Sequence, residues 1–371
     1  MVRKFKVSNF KSFENDFELD LTDTNGYEFN KSSIKNGVVN NAIIYGKNGV
    51  GKSNLAFAIF DIIEHLTDKQ RNESLYKNYL NAYSDELEAT FYYEFLINSK
   101  IVIYEYKKSD YKNLVFERLV IDGVECVYFD RRSNKSAKID LIGAENLKTD
   151  IDNSELSILK YIKNNTDLDI NITNGVFSAM FIFIEKMLYF RSLQDRFFLG
   201  FDVANKSIYE DIVKKDNLKD FEEFLNKAGI ECQLSIVDYL GKSSIAFTFN
   251  GKQIPISEIA STGTQSLSLF YFWFQSLNEA SKVSFLFIDE FDAFYHHDLS
   301  VLIVEKLKQT GVQFILTTHN TSVMTNDLLR PDCYFTMTKS KIKSFSNSTH
   351  KELREAHNLE KMYISGSFDV S

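Results

Sequence analysis

Short stretches of this 371-residue chain carry residue types that could handle a phosphate group. Gly46-Lys47-Asn48-Gly49-Val50-Gly51-Lys52-Ser53 has the G-x-x-x-x-G-K-S spacing of a phosphate-binding loop. Its glycines permit a tight bend that brings backbone N–H groups close to phosphate oxygens. The helix expected to follow adds free N–H groups and partial positive charge at its N-terminus. Lys52 is placed to meet the β- and γ-phosphates of a nucleotide, and the Ser53 hydroxyl to complete the shell of a Mg²⁺ ion. The candidate nucleotide contacts here are Gly46, Asn48, Gly49, Gly51, Lys52, Ser53 and Asn54. The plainer alternative is a glycine-rich turn capped by a serine.

A second stretch delivers acids. The apolar run Phe285-Leu286-Phe287-Ile288 ends in Asp289-Glu290. In open α/β sheets the carboxyl ends of strands are where ligands bind. Asp289 is therefore a candidate Mg²⁺ ligand, directly or through water, and Glu290 a candidate for orienting or deprotonating an attacking water. The next apolar run, Val312–Leu316, ends in Thr317-Thr318-His319-Asn320. That puts His319 at the same edge, as a candidate γ-phosphate sensor. Ser261-Thr262-Gly263-Thr264-Gln265-Ser266 opens a further helix, and its small hydroxyls and glycine make either an anion site or an ordinary N-cap.

These residues need elements to position them. Asn41–Tyr45 reads as a short buried strand. Residues 52–67 read as a helix with Leu55, Ile59, Ile62, Ile63 and Leu66 on one apolar face. The N-terminus reads as two short strands around Ser8–Phe13. From 87 to about 130 the pattern alternates with period two, and Asp122-Gly123 marks a hairpin turn, so an antiparallel β layer is expected. Helical patterns at 154–164, 174–193 and 206–228 predict a helical insertion. Leu234–Val237 and Ile245–Phe249 predict strands, with Asn250-Gly251 as a turn. The order 283–288, 299–308, 312–316 predicts strand, helix and parallel strand. The expected class is α/β: a P-loop sheet, an antiparallel β layer and a helical insertion. The expected division is an ATPase lobe at 1–130, the insertion at 131–232 and a second ATPase lobe at 233–371.

Composition narrows the function classes. A net charge of −8 argues against a chain-wide basic surface for nucleic acid, while leaving room for a local basic groove. No run of about 18 apolar residues appears, so no membrane span is expected. The most apolar segment, 176–193, is interrupted by Glu185, Lys186 and Arg191. The basic start Met1–Lys6 lacks a following apolar signal region. Cysteines number 3 and are widely spaced, which fits reduced thiols in a cytoplasmic protein better than a zinc ribbon or a redox pair.

The order of phosphate loop, Ser-x-Gly-x-x-Ser, Asp-Glu strand and Thr-His resembles the ABC-type ATPases. Ser8-Asn9-Phe10-Lys11-Ser12-Phe13 resembles the N-terminal motif of their SMC/RecF branch. Ile288–His296 and Leu353–Tyr363 resemble the small bacterial ATP-binding proteins of the abortive-infection and restriction-linked, RloA-like group. The resemblance covers about 1–125 and 233–371. It implies that Ser261 and Gly263 act in trans on ATP held by Lys52, Ser53, Asp289, Glu290 and His319 of a second copy, so that ATP closes a homodimer. It implies that Lys11 and Ser12 flank the adenine or ribose. A Mg²⁺-contacting glutamine has no match in 87–130, and the loop after the acids offers Asp292, His296 and Asp298 without singling one out. The implied function is a cytoplasmic ATP-hydrolysing switch of an antiphage defence system that controls a separate effector protein. The alternatives are a RecF-like DNA repair ATPase and a slow ATP-binding scaffold.

Overall fold

Five central strands of one sheet run parallel, and every phosphate-handling candidate except the Ser261 stretch and Lys11 lies at the carboxyl end of one of three of them or in the loop and helix start that follow. In a computed structural model, which describes residues 1–69, 73–133, 136–191, 198–199, 208–279, 282–293 and 297–368, the sheet is seven-stranded. Its order is Phe198–Leu199, Met187–Arg191, Phe285–Asp289, Gln313–Thr318, Asn41–Tyr45, Tyr334–Met337 and Ile342–Ser344. Only the outer pairings are antiparallel. Asn41–Tyr45, Phe285–Asp289 and Gln313–Thr318 are buried at every position, as their unbroken apolar character requires in a sheet covered on both faces.

A second seven-stranded sheet is antiparallel throughout. It includes Val2–Ser8, Phe17–Asp20, Ala89–Ile97, Lys100–Lys108, Leu114–Ile121 and Val124–Asp130. Burial alternates strictly along Ala89–Ile97, so Phe91, Tyr93 and Phe95 face the core. The predicted hairpin turn is present: Asp122 and Gly123 both have positive φ, at 51° and 84°. Asn250 and Gly251 do the same at 47° and 83°, and join Lys242–Phe249 to a further strand, Lys252–Pro255.

The helix after the phosphate loop, Lys52–Leu66, packs against strands of both sheets and is buried on nearly all sides. The single apolar face expected from its sequence therefore understates its burial. Asp61, Glu64 and His65 are buried along with the aliphatic residues, and each meets a polar group. Asp61 takes the Lys108 ammonium at 2.7 Å and the Tyr79 and Tyr106 hydroxyls at 3.0 and 2.9 Å, with both charged side chains at 0 % exposure. Tyr93 donates to the Ala58 carbonyl at 2.9 Å. Removing one partner of such a pair leaves an uncompensated buried charge. Lys108→Ala is expected to cost about 3–5 kcal/mol in urea unfolding. A loss below about 1 kcal/mol would mean that the pair does not join helix to sheet.

The span 131–232 departs from expectation. Helices Ile158–Asn165, Ile172–Glu185, Ile208–Lys214 and Leu218–Lys227 are present. The predicted helix over 174–193, however, ends at Glu185, and Met187–Arg191 becomes a strand of the central sheet, parallel to Phe285–Asp289. A short apolar run does not distinguish a helix end from a buried strand. The open side of the acid-bearing strand decides it here. Asp216, with φ 55°, breaks the pattern expected over 206–228. Among the described residues no helix is long and apolar enough to cross a membrane.

Candidate active site

The three strands that end in acids, Thr-His and the phosphate loop are neighbours in the sheet, so their carboxyl ends converge. Lys52 opens the loop helix and is only 6 % exposed. Its ammonium donates to the Gly46 carbonyl at 2.8 Å and lies 2.9 Å from His319 Nε2. An ammonium can only donate, so His319 accepts through Nε2 and carries its proton on Nδ1. Burial, and then the neighbouring Lys52 charge, hold the His319 pKa below its usual value. Burial also lowers that of Lys52, against the pull of Asp289 and Glu290.

Asp289 is fully buried. Its Oδ2 accepts from Ser53 Oγ at 2.6 Å and its Oδ1 from Thr317 Oγ1 at 2.6 Å. A hydroxyl and a carboxylate at this spacing are hard oxygen donors that fit Mg²⁺, which is commonly held by one or two protein oxygens plus phosphates and water. Among the described residues no group of three or more His, Cys, Asp or Glu could form a metal cage, and a nucleotide-bound Mg²⁺ needs none. Glu290 follows with φ 50°, a left-handed conformation uncommon for a non-glycine residue, and its N–H donates to Thr317 Oγ1 at 2.8 Å. The single Thr317 hydroxyl thus holds the Asp289 carboxylate and the Glu290 backbone.

The glycine cradle is tight. A Cβ on Gly46 would stand 2.7 Å from the Met337 carbonyl oxygen, and one on Gly51 would stand 2.6 Å from Ser12 Oγ. Gly51 also has φ 105°. The N-terminal motif is therefore part of the loop's support: Asn54 Nδ2 donates to Ser12 Oγ at 2.9 Å. Asn48 and Gly49 are exposed at the loop's tip.

Residues 42–325 match the protein family described as "AAA domain, putative AbiEii toxin, Type IV TA system". The chain belongs to this AAA family. The resemblance to abortive-infection ATP-binding proteins is borne out at that level. A comparison with curated proteins found no match. Solved structures similar to the chain include an SMC head bound to the C-terminal winged-helix domain of ScpA, at 16% identity and TM-score 0.47, covering 92% of this chain and 96% of that one. The SMC head domain from Thermotoga maritima is 16% identical with TM-score 0.44, over 92% and 98% of the two chains. An Smc head from Pyrococcus furiosus with an extended coiled coil, bound to the C-terminal domain of ScpA, is 11% identical with TM-score 0.48, over 92% and 96%.

Other candidates of this AAA chain lie apart from the Lys52–Asp289 cluster. Ser261 caps the helix Thr262–Asn278 by accepting from the Thr264 N–H at 3.2 Å, and it is exposed. No hydrogen bond among the described residues links it or Gly263 to the phosphate loop. Lys11 lines a groove of about 310 Å³ with Ser12 and Gly49, but its ammonium is held by the Leu75 and Lys77 carbonyls at 2.7 and 3.3 Å. It thereby anchors the 75–77 segment. Asp292 accepts from Thr318 Oγ1 at 2.6 Å and is buried, which raises its pKa, so it braces the His319 strand. Asp298 lies in the first turn of His297–Thr310, and His296 lies outside the described residues.

The sequence reading missed Arg191 as a site residue. Its guanidinium lies 3.4 Å from both Asp289 Oδ2 and Glu290 Oε2. The available signal was an apolar run, Met187–Phe190, ending in a charged residue, the same pattern that marked the acids.

Proposed function

We propose that this chain is an ATP-hydrolysing switch that closes as a homodimer around ATP and Mg²⁺. We further propose that it serves as the cytoplasmic regulatory ATPase of a bacterial antiphage system, controlling a separate effector. The observation that carries the reading is the convergence of Lys52, Ser53, Asp289, Glu290 and His319 at one sheet edge. In this reading the Gly46–Gly51 amides and Lys52 bind the phosphates. Ser53 and Asp289 would hold Mg²⁺, which supplies charge stabilisation on the phosphate oxygens. Glu290 takes the proton of the attacking water, and His319 contacts the γ-phosphate. Ser261 and Gly263, exposed or half-buried and outside this cluster, suit a contact supplied to a second copy. Membership of the AAA family supports the ATPase part of the proposal. The 131–232 span would be a part shared with the core sheet rather than a detachable domain.

Light-scattering mass measurement tests the switch. The purified chain is expected to double in mass with Mg²⁺ and ATP, and Gly263→Asp, which adds a charge and a side chain at the trans contact, is expected to stay at the smaller mass while still binding ATP. A mass that ignores ATP would remove the dimer from the proposal. The RecF-like alternative predicts ATP-dependent DNA binding with a steep salt dependence. The net charge of −8 gives it no support.

A further inference from the structure

Met187–Arg191 ends level with the acid-bearing strand, and Arg191 stands directly across from Asp289 in the parallel register. Its side chain is 37 % exposed, whereas that of Asp289 is fully buried. One guanidinium approaches both acids, Nε at 3.4 Å from Asp289 Oδ2 and Nη2 at 3.4 Å from Glu290 Oε2. Asp289 Oδ1 is committed to Thr317 Oγ1, which leaves Oδ2 as the oxygen shared with Ser53. The oxygen best placed for a divalent cation is therefore the one Arg191 approaches.

Resting on the ATPase reading above, we propose that Arg191 is an electrostatic latch on the acid pair, its guanidinium competing with the nucleotide-bound divalent cation for Asp289 Oδ2. Nη2 donates a long hydrogen bond to Glu290 Oε2, and the approach to Asp289 Oδ2 is Coulombic; both separations exceed the roughly 2.7–2.9 Å of a closed charge-assisted hydrogen bond, so the contact is releasable. It offsets the repulsion between two adjacent carboxylates. A divalent cation held at Oδ2 would carry twice the charge of the guanidinium and would compete with it there. Because the same guanidinium donates to Glu290 Oε2, a cation at Asp289 would also drive it away from Glu290. Lys52 does not duplicate this role, since its ammonium is directed to the Gly46 carbonyl and His319. Arg191 is thus a positioning residue, acting through the acids.

The test is a Mg²⁺ titration of fluorescent ATP-analogue binding to the full chain, comparing wild type with Arg191→Ala and Arg191→Lys. Loss of a partly exposed charge pair is expected to lower the half-saturating Mg²⁺ concentration about fivefold in the alanine variant. The lysine variant, whose single ammonium cannot bridge two carboxylates as the fork does, is expected to fall between. Thermal unfolding checks that each variant is folded, and Arg191→Gln replaces alanine in the comparison if that variant is not. An unchanged or raised Mg²⁺ requirement in a folded variant overturns the latch while leaving the ATPase reading intact. A wild-type chain that binds no nucleotide at any Mg²⁺ concentration overturns both.

Discussion

Glu290→Gln is expected to lower ATP turnover by about 10²- to 10⁴-fold, the usual share of a general base, while leaving ATP binding in place. Glutamine keeps the shape of the side chain but cannot take the proton of an attacking water. The backbone N–H that donates to Thr317 Oγ1 is unaffected, so the acid strand keeps its end geometry. The Glu290 ion pair with Arg191, at 22 % and 37 % side-chain exposure, contributes at most about 1 kcal/mol. The loss should appear chiefly in turnover, and thermal unfolding of the variant checks that it is folded. If the dimer reading holds, the variant accumulates in the closed form, and a mass measurement with ATP shows a persistent dimer. Phosphate release at the wild-type rate would remove Glu290 from the chemistry and sink the assignment of the site.

Lys52→Ala should weaken ATP binding. The Lys52 ammonium donates at 2.8 Å to the Gly46 carbonyl and lies 2.9 Å from His319 Nε2. A phosphate chain in the cradle would draw the same ammonium into charge-assisted hydrogen bonds. Each such bond contributes about 1.5–3 kcal/mol, so affinity should fall roughly 10- to 100-fold. Turnover should fall further, because charge developing on the phosphoryl oxygens loses its nearest donor. Fluorescent ATP-analogue titration separates the two effects. Wild-type affinity in a folded Lys52→Ala chain would mean that nucleotide, if it binds, binds elsewhere. The pair of variants is informative together: one is expected to bind without turning over, the other to do neither well.

What the sequence by itself determined are the features written in adjacent residues. Strand, glycine loop and helix at 41–66 follow in unbroken order, and the conformational needs of Gly46 and Gly51 are local. The acids and His319 each close an apolar run, and a run buried on both faces must deliver its last residues to the sheet's edge. The period-two pattern of the antiparallel layer and its Asp122-Gly123 turn are equally local, which is why both appear where expected. Tertiary structure alone decided which edges lie side by side. Ser53 and Asp289 meet across 236 positions, and Arg191 and Glu290 across 99. No periodicity encodes such a pairing. It follows from strand order: Gln313–Thr318 lies between the loop strand and the acid strand, and Met187–Arg191 leaves a helical pattern to pair with the acid strand's other side. The same holds for Asp61: on a helix drawn alone it belongs on the wet face, and it is buried because a second sheet supplies Lys108 and Tyr106, and the segment leading into that sheet supplies Tyr79, to meet it. A buried charge is tolerated only where partners arrive from elsewhere in the chain, and that arrival is a property of the folded molecule.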